Sequence, residues 1–130
     1  MNALEKMFSL EGKTVIVTGG AQGIGKVAAT RMAEVGADIV IFDMQEEKAK
    51  ETAAQIAETT GKRAVAYGVD VTDPAQVKAA IEKADADMGG LDHLFNNAGI
   101  VLHKSAYDVE PSEWAKVIDV NLNGEYYMAS

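Results

Sequence analysis

Thr18-Gly19-Gly20-Ala21-Gln22-Gly23-Ile24-Gly25 is the stretch on which the fold of this chain turns. Before it stands Thr14–Thr18, β-branched and apolar, which reads as a strand. After it the apolar period becomes helical. Ile24, Val27, Ala28, Met32 and Val35 share one face and predict a buried stripe, with Gly36 as the stop. A glycine-rich turn at a helix N-terminus presents backbone N–H groups that have no intrahelical partner, at the positive end of the helix dipole. Such a place binds phosphate without basic side chains. Without Cβ atoms, a diphosphate can come close to the backbone. Gly23-Ile24-Gly25 with Ala28 has the G-x-G-x-x-A form of a dinucleotide-binding turn. The alternative is a tight turn that holds no ligand.

Outward from this turn, strands and helices alternate. Asp38–Asp43 reads as a second strand whose Ile39–Phe42 run has no polar alternation, so both of its faces are covered. Glu46–Thr60 is a helix stopped by Gly61, and Ala64–Val69 is a third strand. Thr72 or Asp73 caps a third helix with Pro74 in its first turn. Val77, Ala80, Ile81, Ala84 and Met88 form its stripe, and Gly89-Gly90 end it. Leu91–Phe95 is a fourth strand, and a fourth helix runs from about Pro111 to the end. Strands separated by helices need crossover connections. The order β-α-β-α-β-α-β-α therefore predicts an α/β fold, a doubly wound parallel sheet with helices on both faces.

Composition bounds the partners. The 130 residues hold 12 Lys plus Arg against 20 Asp plus Glu, a formal charge of −8. No basic run appears, which argues against nucleic acid and against anionic membranes. There is no cysteine, so disulfides, thiol catalysis and thiolate metal sites are excluded, in keeping with a cytoplasmic setting. His93 and His103 have no metal-ligand spacing, and no metal is expected. Glu5 and Lys6 interrupt the N-terminal segment, which does not read as a signal peptide.

Asp43 closes the second strand, twenty residues after Gly23. In a dinucleotide fold that position faces the adenosine ribose, where a carboxylate accepts hydroxyl hydrogen bonds and repels a 2′-phosphate. This favours NAD over NADP.

The octet from Thr18 to Gly25 matches T-G-x-x-x-G-x-G, and Asn96-Asn97-Ala98-Gly99 matches N-N-A-G. On these two motifs the chain resembles the short-chain dehydrogenase/reductase family, over nearly its whole length. The resemblance implies a Rossmann-type sheet of strand order 3-2-1-4, incomplete at four strands. It implies a cofactor held by Gly19, Gln22, Gly23, Ile24, Gly25, Asp43, Met44, Asp70, Val71, Asn97, Ala98, Gly99 and Val120. Asp70 and Val71 would meet the adenine ring. Gln22 and Met44 are not basic, where relatives using NADP often carry Arg or Lys. Asn121 falls at i+7 from Trp114 with Val117, Ile118 and Leu122 on one stripe, read as buried, with Trp114 as core packing. In the family an asparagine at this place stabilises a local kink and holds a water of the proton relay. Assembly into dimers or tetramers is implied as well. The sequence looks most like members acting on polyols and sugars.

The family transfers hydride between a nicotinamide and an alcohol or carbonyl carbon. A Tyr is its acid/base, and a Lys four residues later lowers the Tyr pKa. No tyrosine here has that lysine: Tyr67 is followed four residues later by Val71, Tyr107 by Pro111 and Tyr126 by Ser130, and only three residues follow Tyr127. The expectation is a single dinucleotide-binding domain over 1–130, truncated in its last helix and inactive alone. The alternatives are a non-catalytic NAD-binding or regulatory module, or an inactive truncated product.

Overall fold

Four parallel strands organise the chain in a computed structural model that describes residues 1–130. They are β1 (Thr14–Thr18), β2 (Asp38–Asp43), β3 (Ala64–Gly68) and β4 (His93–Phe95). The sheet order is β3-β2-β1-β4, with all three pairings parallel, as the alternation requires. The helices are α1 (Ala3–Phe8), α2 (Gly23–Glu34), α3 (Glu46–Thr60), α4 (Pro74–Met88), α5 (Pro111–Ile118) and α6 (Gly124–Ala129). A π-helical turn, Asp119–Asn123, joins the last two.

The strand period of two divides the core. Val15 and Val17 of β1, with Ile39 and Ile41 of β2, pack against Ala29 and Ala33 of α2 and Ala49, Ala53 and Ile56 of α3. Ile16, Val40 and Phe42 point the other way, onto Val77, Ala84 and Met88 of α4 and Met128 of α6. The Ile39–Phe42 run is buried throughout because both faces of β2 are covered. Asp73 rather than Thr72 caps α4, accepting from the N–H groups of Ala75 and Gln76. On β3, the Tyr67 hydroxyl donates to Asp87 Oδ2 at 2.6 Å; burial first, and then that bond, push its pKa up to about 12.

Three expectations need correction. The buried face of α2 is Gly25-Ala29-Ala33, while Ile24 and Val27 are 77% and 58% exposed. Small residues at i, i+4 and i+8 let the helix axis lie close to the sheet. The helical period of the larger side chains falls on another face. The final helix is not continuous: its π-turn inserts an extra residue and rotates α6 relative to α5. Trp114 and Leu122 are exposed, at 65% and 60%, and Trp114 is not core packing; Val117, Ile118 and Asn121 are half-buried. The fourth strand is three residues long and exposed rather than Leu91–Phe95. Helix α1 was not anticipated. It is held by a reciprocal Asn2–Glu5 capping box and buries none of its residues.

Candidate cofactor site

Parallel strands end on the same side, so the loops after β1, β2, β3 and β4 converge at one edge of the sheet. A cleft of ≈ 660 Å³ opens there. Its wall includes Gly19, Gln22 and Ile24 from the glycine loop, and Asp43 and Met44 from the end of β2. Asp70 and Val71 follow β3, Asn97, Ala98 and Gly99 follow β4, and Val120 comes from the π-turn. Eleven of the thirteen residues anticipated at the cofactor thus border one cleft. Gly23 borders a shallow depression beside it with Ile24 and Val27. Gly25 lies beneath the loop, where a Cβ would stand 2.3 Å from the Gly19 carbonyl oxygen. Asn121 lines a neighbouring apolar cavity of ≈ 560 Å³ with Ile100, Trp114 and Val117.

The glycine loop is held open toward the cleft. Gln22 occupies the N-cap of α2 but makes no side-chain cap, unlike Asp73 on α4. The first N–H groups of α2 are therefore left without side-chain acceptors. Gly19 has φ +67°, and a Cβ there would stand 3.1 Å from Ala98 Cα, so the loop after β4 runs directly alongside it. Lys48 Nζ donates to the Gln22 side-chain oxygen.

Asp43 ties the glycine loop to the turn after β2. Oδ2 accepts the Ala21 N–H at 3.1 Å and Oδ1 the Gln45 N–H at 2.9 Å. A carboxylate offers about four lone-pair positions, so acceptor capacity for two ribose hydroxyls remains. Asp70 Oδ1 accepts from the Thr72 N–H and hydroxyl at 3.0 and 2.7 Å, which shapes the turn after β3. Lys116, from α5, is the one basic residue on the cleft wall.

The N-N-A-G segment is tied to β1. The Thr18 hydroxyl oxygen accepts the N–H groups of Asn97 and Ala98, both at 2.9 Å. Asn97 Nδ2 donates to the carbonyls of Thr18 and Gly19 at 3.2 and 3.3 Å, and Asn96 Nδ2 to that of Glu125 at 2.9 Å. Asn121 brackets Ile100: Oδ1 accepts its N–H and Nδ2 donates to its carbonyl, each at 2.8 Å. That grip sits within the π-turn, where a kink was anticipated.

Thr18 stands at the head of the octet, and a fully buried hydroxyl at a strand end must find partners. Replacing it by valine orphans two N–H groups. A Thr18→Val chain should lose about 1–3 kcal/mol, read from its urea midpoint. Phe42, Gln45, Val69, Ile100 and Lys116 also line the cleft and were missed. Phe42 and Val69 could have been found, since each directly precedes an anticipated acid at a strand end. Nothing in the sequence singles out Lys116.

No helix is long and apolar enough to cross a membrane, and no group of three or more His, Asp or Glu side chains is placed to hold a metal ion. The chain is 38% identical over 128 residues to sorbose reductase of Schizosaccharomyces pombe, covering 97% of this chain and 50% of that protein. It is 38% identical over 130 residues to a probable NADP-dependent mannitol dehydrogenase of Yarrowia lipolytica, covering 98% and 46%. The crystal structure of an NAD+-bound xylitol dehydrogenase superposes with a TM-score of 0.87 at 32% identity, covering 92% of this chain and 46% of that one. The chain spans about half the length of these proteins. The profile of the short chain dehydrogenase family matches residues 13–130, and the chain belongs to that family.

Proposed function

We propose that this chain is the cofactor-binding half of an NAD-dependent oxidoreductase that moves hydride between the nicotinamide and an alcohol or carbonyl, a polyol or sugar being favoured. The observation that carries the reading is the cleft, where an uncapped helix N-terminus and Asp43 border one cavity. A diphosphate suits the loop N–H groups, and a ribose suits the free lone pairs of Asp43. The segment from Asn97 to Gly99 forms the opposite wall, and Val71 and Val120 offer apolar contact to a base. Bound there, NAD would supply the hydride acceptor. Sorbose reductase and the mannitol and xylitol dehydrogenases support a polyol or sugar substrate.

The chain's own part is binding and orientation. Asn121 holds the segment at Ile100 beside the cleft. Its second amide proton and second carbonyl lone pair remain to hold a water of the proton relay. Homo-oligomeric assembly and a cytoplasmic location belong to the same reading.

The choice of NAD over NADP rests on Asp43. A relative named as NADP-dependent makes this choice worth a direct test. Asp43→Ser should lose roughly 1–3 kcal/mol of NAD preference, the worth of hydrogen bonds to a charged acceptor. Calorimetric titration with both cofactors checks it, and unchanged discrimination sinks the assignment.

A second reading, a non-catalytic NAD-binding module, shares the cleft and differs only in the chemistry. Calorimetry with NAD tests the binding claim shared by both readings. A rate assay with NAD and a polyol panel tests the chemistry. The 130-residue chain should bind without turnover. Failure to bind overturns both readings, and appreciable turnover overturns the inactivity expected from the missing Tyr-x-x-x-Lys pair.

A further inference from the structure

Thr52 lies on α3, outside the cleft, and is 2% exposed. Its hydroxyl donates to the Ala21 carbonyl at 2.7 Å. No backbone N–H reaches that carbonyl, and Ala21 is itself buried, so Thr52 is its sole partner. The Ala21 N–H is held separately by Asp43 Oδ2. The residue is therefore pinned at both ends, from two different elements.

This arrangement has a directional consequence. In a trans peptide the carbonyl and the following N–H point in opposite directions. Drawing the Ala21 carbonyl inward onto α3 turns the Gln22 N–H away from α3. That N–H donates to no group of the chain, and Gln22 borders the cleft. Thr52 is the one side chain that holds this peptide by its carbonyl.

We infer that Thr52 is a positioning residue for anion binding: it presets the Ala21–Gln22 peptide so that the Gln22 N–H is offered to a diphosphate. The inference rests on the cofactor reading of the cleft and adds to it a residue that touches no ligand. Preorganisation of this kind removes an ordering cost from binding.

The test compares the parent chain with Thr52→Val, which keeps the shape and removes the hydroxyl, and with Thr52→Ser, which restores it. NAD, inorganic diphosphate and adenosine are titrated into each, followed by amide NMR. Thr52→Val should weaken NAD and diphosphate roughly tenfold, the worth of one hydrogen bond, with adenosine unchanged and with Ser restoring the parent values. Parent-like NAD and diphosphate affinity in Thr52→Val overturns the inference and leaves the cofactor reading intact. Equal weakening of adenosine means that the fold is only loosened, and also overturns it. Diphosphate binding at Gln22 without NAD binding overturns the cofactor reading, and the diphosphate series then decides the role of Thr52. Binding of neither by the parent overturns both.

Discussion

A Gly25→Val chain should lose about 1–3 kcal/mol of stability and should fail to bind NAD. A Cβ at this position would stand 2.3 Å from the Gly19 carbonyl oxygen and 2.7 Å from Asn97 Nδ2. The first neighbour is backbone and cannot rotate out of the way. The second is the amide that ties the loop after β4 to Thr18 and Gly19. Valine adds two further methyl groups to a contact already closed by one carbon. Overpacking of this kind costs about 1–3 kcal/mol, occasionally more, and valine regains only part of glycine's helix-propensity deficit of about 1 kcal/mol. The only relief is to lift α2 from the loop, and that displaces the N–H groups of the cleft. Urea unfolding measures the first effect and calorimetry the second. A Gly25→Val chain with parental stability and NAD affinity would show that α2 does not seat on Gly19.

The second large effect is expected at Phe42. Its ring is fully buried against α4 and meets Tyr67 edge-on, with centroids 5.8 Å apart. It also reaches the wall of the cleft. Phe42→Ala removes a large side chain from a site that two helices and the sheet keep from collapsing. The expected cost is about 3–5 kcal/mol, much of the roughly 5–15 kcal/mol that holds an ordinary domain together. Phe95 provides the contrast: at 38% exposed on β4, its alanine variant should cost distinctly less. Equal urea midpoints for the two variants would contradict the burial difference.

The alternation of strand and helix was legible from the chain alone, and so was the sheet order implied by the resemblance. Both depend on local patterns: β-branched runs, helical periods and glycine stops. The glycine loop and Asp43 were legible because a dinucleotide turn demands particular residues at particular spacings. The register of burial on α2 was not. Ala29 and Ala33 carry weak hydrophobic signals, and their burial depends on how closely the helix approaches the sheet. The π-turn at Asp119–Asn123 was equally invisible to a period of 3.6, which assumes an unbroken helix.

The sequence by itself determined the parallel α/β architecture and marked the residues at the strand ends, because local propensity and spacing are written along the chain. Tertiary structure alone decided how those residues act together. The hydroxyl of Thr18 meets Asn97 and Ala98 across a separation of about eighty residues, and Thr52 meets Ala21 across thirty-one. Hydrogen bonds between distant segments depend on which strands the crossovers bring side by side. No pattern within one segment encodes them.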